Sequence, residues 1–219
     1  MKASKNIILA ITSFLILILA TAQKKPEKEL VKVSTVDELI AAIDSNKTIY
    51  LADGIFNLSQ LKSENNSHVT KDLAYESGYW IHDVSNLTLR GAPEGNTQIV
   101  LDSRYENVFA FFNAKNINIV NITFGHTKGQ PVCQGGVMIT KNCQNIKFKN
   151  CKLFGCGTIG LAIKNSKNVE FVNSEIYECT SFILDIKYSN NVSFNNSLFY
   201  NNGACIAIAN SDNINFNKC

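Results

Sequence analysis

Apolar and polar residues alternate with period two through much of the chain, and the alternation recurs at a fixed interval. Asn116-Ile-Asn-Ile, Asn145-Ile-Lys-Phe, Asn168-Val-Glu-Phe, Asn191-Val-Ser-Phe and Asn213-Ile-Asn-Phe share one pattern, and Asn86-Leu-Thr-Leu is a looser first copy. The asparagines at 145, 168, 191 and 213 fall 23, 23 and 22 residues apart, whereas the earlier copies are 30 and 29 apart and so carry insertions. Aligned on the asparagine, Ile117, Ile146, Val169, Val192 and Ile214 form one apolar column, and Ile119, Phe148, Phe171, Phe194 and Phe216 form another. The residues between them, Asn118, Lys147, Glu170, Ser193 and Asn215, are polar in every copy. Such alternation is a strand with one buried face.

Two further inward columns lie upstream, Met138, Leu161, Leu184 and Ile206, then Thr140, Ile163, Ile186 and Ile208. A fifth lies downstream in Phe124, Leu153, Ile176 and Phe199. Each unit of about 22 residues thus holds three short strands joined by Asn- and Ser-rich corners. Nothing after residue 86 has the 3.6-residue stripe of a helical repeat, and the framework of a leucine-rich repeat is absent. The pattern predicts an all-β parallel β-helix whose coils stack at ~4.8 Å, like on like. Two asparagine columns, 116/145/168/191/213 and 121/150/173/196, fall at corners, where Asn tolerates the left-handed conformation and its amide can bond to the next coil.

Thr35-Val-Asp-Glu38 forms a capping box, and Val36, Leu39, Ile40 and Ile43 then share one helical face, which predicts a short helix over the first coil's apolar end. The order of capping helix, Tyr50-Leu-Ala-Asp-Gly-Ile-Phe56, Asn86-Leu-Thr-Leu-Arg-Gly91 and repeated Asn-led coils resembles the right-handed parallel β-helix proteins of the pectate lyase-like superfamily. The resemblance covers residues 35–219 and implies a right-handed coil. It carries no single activity, because that superfamily mixes lyases, glycosidases, esterases and adhesins.

The amino terminus has a different character. Lys2 and Lys5 precede an apolar run from Ile7 to Ala20, and Ala20-Thr21-Ala22 is a signal-peptidase pattern. The run is shorter than the ~20 residues of a bilayer span. The expected organisation is a signal peptide at 1–22, a linker at 23–34 and a β-helix domain at 35–219 without a C-terminal cap, with no membrane span once the signal is cleaved. The protein is expected to be secreted, periplasmic or on the cell surface. Because Cys219 falls in mid-coil, the last coil is expected to present an open strand edge suited to association.

Across 219 residues, 21 Lys and Arg against 18 Asp and Glu give a net charge of +3, which does not argue for a nucleic-acid partner. The seven cysteines are an odd number. Cys143 shares its column with Ala114, Ser166, Ser189 and Ser211, and Cys151 with Ser174, Ser197 and Cys219, so these read as small corner residues. Cys156 and Cys179 share a column on consecutive coils, the one pair placed for a disulfide.

The candidate chemistry lies on outward columns. Lys141, Lys164 and Lys187 align with Ala209, and the neighbouring column is Ile139, Ala162, Asp185 and Ala207. Stacked lysines either bind an anion, such as an acidic polysaccharide, or bend into solvent with Asp185 relieving Lys187 and Lys164. The insertion from Gly125 to Gly136 adds His126, Lys128 and Cys133 on a loop, too sparse a set for zinc. A second insertion, Ser59 to Gly78, leads to Tyr79-Trp80, either a sugar-stacking surface or core. No clustered carboxylates of a calcium lyase or a hydrolase are present, and no metal or other cofactor is implied. Two readings follow: a β-helix protein that binds glycan or is structural, with Lys141, Lys164, Lys187, Asp185 and His126 as binding residues, or a lyase or hydrolase of an acidic polysaccharide using Lys187, Asp185 and His126.

Overall fold

The computed structural model describes residues 28–63, 65–72, 76–127, 134–155, 158–203 and 205–219. The expected signal peptide at 1–22, with Lys128, Cys133 and Cys156, lies outside these residues. The chain winds through three sheets. Sheet 1 stacks Glu29–Val33, Lys47–Leu51, Thr88–Arg90, Lys115–Val120, Gln144–Lys149, Lys167–Val172, Asn190–Asn195 and Asp212–Asn217. Sheet 2 stacks Ile55–Asn57, Gln98–Leu101, Thr123–His126, Lys152–Phe154, Glu175–Tyr177 and Leu198–Tyr200. Sheet 3 stacks Val69–Asp72, Gly78–His82, Asn107–Phe112, Met138–Lys141, Ile159–Lys164, Phe182–Lys187 and Cys205–Ala209. This is the right-handed parallel β-helix that the periodicity and the resemblance imply. Among the described residues no helix is long and apolar enough to cross a membrane.

The aligned columns are the observed register. Ile146, Val169, Val192 and Ile214 pair in sequence across sheet 1, as do Phe148, Phe171, Phe194 and Phe216. Met138, Leu161, Leu184 and Ile206 pair across sheet 3, and Phe124, Leu153, Ile176 and Phe199 across sheet 2. The phenylalanine rings meet at centroid distances of 5.7, 5.9 and 4.8 Å, a spacing at which aromatic pairs attract beyond their burial. Helix α1, Val36–Ala42, forms behind the expected box, with Glu38 N donating to Thr35 Oγ1 and Thr35 N donating to Glu38 Oε2, both at 3.2 Å. Its Val36, Leu39 and Ile40 join the interior cluster over the first coil.

One boundary differs. Residues 29–33, within the segment read as linker, are a strand, because Val31 and Val33 continue the inward columns above Ile49 and Leu51. The Ser59–Gly78 insertion is not a plain loop either. Its Val69–Asp72 strand pairs antiparallel with Gly78–His82 and forms a hairpin at one edge of sheet 3.

Asparagine turns the corners. Asn116, Asn145, Asn168, Asn191 and Asn213 all have φ between 53° and 58°. From Asn86 onward each donates its amide to the residue one coil earlier, beginning at Asn46, at 2.7–3.1 Å. A third left-handed column, Asn113, Asn142, Asn165 and Asn210, is masked in the sequence by Asp83 and Tyr188, which fill the aligned position in two other coils. At adjacent corners Ser166, Ser174, Ser189, Ser197 and Ser211 accept backbone N–H groups of the preceding coil through Oγ, at 2.9–3.3 Å. Cys143 and Cys151 occupy the same columns, buried, and burial pushes their thiols up to about 11 and about 12. Cys179 is likewise buried, free and pushed up to about 12, while Cys205 and Cys219 are free and exposed.

Two outcomes are expected. Asn168→Ala removes the 2.7 Å bond to Asn145 and the 3.1 Å bond from Asn191 and leaves at φ 56° a β-carbon without the short polar side chain that makes this conformation tolerable. It should cost about 3 kcal/mol in urea unfolding, and Asn168→Gly, free of the strain, about 1 kcal/mol less. In native protein at pH 8, iodoacetamide should modify Cys205 and Cys219 and spare Cys143, Cys151 and Cys179 until denaturant is added, as read by peptide mass spectrometry.

Candidate functional site

The outward face of sheet 3 carries both charged and aromatic side chains. The pairing register aligns His82, Phe112, Lys141, Lys164, Lys187 and Ala209 in one column. Beside it run Trp80, Ala110, Ile139, Ala162, Asp185 and Ala207. Three lysines on consecutive parallel strands stand ~4.8 Å apart and would repel strongly if bare.

They are not bare. Glu76, at the end of the hairpin, reaches across the face: its Oε2 accepts from Lys141 Nζ at 2.9 Å and its Oε1 from Lys164 Nζ at 2.6 Å. Partial burial pushes the Glu76 carboxyl up, but the hydrogen bonds and charges of Lys164 and Lys141 outweigh it and hold the group below the usual carboxylate range. Lys187 has its own partner in Asp185, whose two oxygens lie 3.0 and 3.1 Å from Nζ. The expectation that Asp185 relieves both Lys187 and Lys164 is therefore met only for Lys187. Glu76 serves Lys164, from 88 residues away in sequence.

Trp80 is buried, yet on the outside of the coil. It packs with Ala110, Ile139 and Ala162 in a second small cluster, edge-on to Phe112 at 6.4 Å. Its Nε1 donates to the Glu76 carbonyl at 2.9 Å, and Lys141 Nζ lies 5.8 Å from its ring centre. Trp80 thus holds the backbone of Glu76 and faces the ammonium group of Lys141.

Two grooves flank this bridge. One, of about 320 Å³, is lined by Trp80, His82, Asp72, Lys141 and Glu76 among others. The other, of about 250 Å³, is lined by Glu76, Tyr105, Asn107, Gln134, Thr158 and Lys164 among others. Tyr105 is 65% exposed, an aromatic ring open to a ligand. The walls are tied together coil to coil: Asn107 Nδ2 donates to the Ser77 carbonyl and its Oδ1 accepts from Gly136 N, each at 2.8 Å, and Thr158 N donates to the Gly135 carbonyl at 2.8 Å.

His126 does not belong to this face. It ends a strand of sheet 2 instead of riding on the insertion loop, is 4% exposed, and its Nε2 donates to the Glu106 carbonyl at 2.9 Å. Burial lowers its pKa, against the backbone hydrogen bond, so the ring is neutral near pH 7. The structure therefore brings Lys141, Lys164, Lys187 and Asp185 together and leaves His126 apart. Sequence reasoning missed Glu76 and Tyr105, whose positions lie outside the repeat. Among the described residues no group of three or more His, Cys, Asp or Glu side chains is placed to hold a metal ion.

A trough of about 760 Å³ also runs along sheet 1. Its asparagines bond to one another, and Lys147 pairs with Glu170 at 2.6 Å, which makes it a self-satisfied corner lattice.

Solved structures resemble the fold. An alginate lyase from Paenibacillus sp. str. FPU-7 aligns with a TM-score of 0.54 and 12% identity over 86% of this chain and 75% of that one. A pectin methylesterase from Aspergillus niger aligns with a TM-score of 0.33 and 13% identity over 83% of this chain and 87% of that one. No curated protein matches the sequence. Residues 65–219 match the family model described as "Right handed beta helix region". With that match over most of its length and the stacked three-sheet coil behind it, the chain belongs to the right-handed β-helix family, and its fold is of the pectate lyase-like kind.

Proposed function

We propose that this protein is a secreted, periplasmic or cell-surface glycan-binding protein that takes an acidic polysaccharide along the outward face of sheet 3. The observation that carries the reading is the in-register column of Lys141, Lys164 and Lys187 on adjacent strands. A repeating anionic chain matches a repeating cationic one, and the column is bordered by the exposed ring of Tyr105 and by the amide and hydroxyl groups of Gln134 and Thr158. Mixed charge, amide and aromatic surface is what a sugar with both hydroxyls and carboxylates needs. The likeness in fold to an enzyme named as an alginate lyase supports a polysaccharide as the ligand class.

Catalysis is the second reading, and one observation favours it: Asp185 is 5% exposed, and its carboxylate, held against Lys187, stands at the edge of the lysine column. A base and a proton donor in contact are the start of an acid–base pair. His126, the third expected member, lies in sheet 2, so the pair has no third partner from that source.

Calorimetric titration of residues 23–219 with polygalacturonate, alginate and hyaluronan, and with neutral dextran, tests both readings. Binding to at least one acidic polymer and none to dextran is expected, weakening as salt is raised. Lys164→Ala/Lys187→Ala should lose at least about tenfold in affinity. Equal binding by that variant, or no binding by the native protein, would overturn the proposal. Unsaturated products that disappear in Lys187→Ala would replace it with the lyase.

A further inference from the structure

Among the described residues Glu76 is the one carboxylate that reaches two lysines of the column, and it does so with both of its oxygens. Lys141 and Lys164 come from consecutive coils and pair directly in register, so the separation of their backbones is set by the β-ladder and not by Glu76. The ladder roots the two lysine side chains side by side with or without the glutamate, and it is an anion between them that draws their ammonium groups together. Two rigidly based donors aimed at one carboxylate are a recognition geometry, and the group that fills it comes from a hairpin outside the repeat. Lys187, one coil further along, is left to Asp185. Glu76 also borders both grooves, so it stands where a chain running from one to the other would pass.

We infer that Lys141 and Lys164 form a site for a single sugar carboxylate and that Glu76 is its resident occupant, which an acidic glycan must displace to bind. The inference rests on the proposed glycan reading and adds the ligand group and the residue that sets selectivity. A uronate carboxylate has the same charge and the same two oxygens as Glu76, so the exchange keeps both lysines paired. A neutral sugar offers nothing in return for breaking two charge-assisted hydrogen bonds, and Glu76 therefore excludes it. The apparent affinity for an acidic ligand is reduced by the fraction of molecules in which the site is closed by Glu76, and removing the carboxylate lifts that reduction. Exchange is visible from within, because the only tryptophan, Trp80, donates to the Glu76 carbonyl and lies under Lys141.

The test uses tetragalacturonate and its methyl ester, which differ only in the carboxylates. Against native protein, Trp80 emission should shift on adding the acid and stay constant with the ester. Glu76→Gln should bind the acid about tenfold more tightly and lose most of the emission shift, and adding Lys164→Ala should abolish the gain. Glu76→Ala, checked with Glu76→Gln by thermal melting, serves if the glutamine variant does not fold. Native binding of the acid in preference to the ester, with no gain in either folded Glu76 variant, overturns the inference and leaves the proposed function standing, whereas equal affinity for acid and ester overturns the inference and the acidic ligand of that function together. If neither the native protein nor the variants bind any acidic or neutral oligosaccharide, both fall.

Discussion

The asparagine amide at the coil corner is the contact on which the rest of the structure depends. At Asn145, Asn168 and Asn191 the backbone takes the left-handed turn that ends one strand face and starts the next, and the side chain bonds to the same residue in the coil before. A residue that did only the first would leave the register of each coil to the backbone ladders and the packing alone. A slip of one residue in a strand turns every side chain to the opposite face. With the amides in line, Phe171 must lie between Phe148 and Phe194, and Ser166 must meet the N–H of Cys143. The core is a consequence of register.

The same constraint creates the charged face. A ladder that stacks phenylalanine on phenylalanine inside also stacks Lys141, Lys164 and Lys187 outside. Like charges at that spacing cost stability unless something answers them. The answers come from two places. Asp185 lies within the repeat, two residues from the lysine it serves, and Glu76 arrives from the hairpin that departs from it. Trp80 fixes the geometry of the second answer by holding the Glu76 backbone and packing on Ala110 and Ile139. A solenoid of plain repeats would carry lysines only as a solvated stripe, and the insertion turns part of that stripe into a bordered groove.

The interior was legible in the sequence because every inward column is a sum over several coils, and one deviant residue such as Thr140 does not hide it. The capping helix was legible because Thr35 and Glu38 bond within one turn. What was not legible is what bridges distant segments. Glu76 and Lys164 are 88 positions apart and only one of them repeats, so no alignment of coils pairs them. Val31 and Val33 alternate too briefly to separate a strand from a linker, and pairing with Lys47–Leu51 decides the matter. His126 was misplaced because a strand end and a loop start share the composition Gly-His-Thr. Burial under Glu106 follows from the third dimension alone.

The proposed ligand is an acidic glycan lying on the outward face of sheet 3 with its carboxylates on the lysine column. A crystal structure of the protein soaked with a tetragalacturonate or tetra-alginate measures this most directly. A carboxylate within hydrogen-bond distance of Lys164 Nζ, a sugar ring against Tyr105, and the Glu76 side chain turned away from Lys141 are expected. A sugar seated instead along the asparagine lattice of sheet 1, with Lys141, Glu76 and Lys164 still bridged, would contradict it.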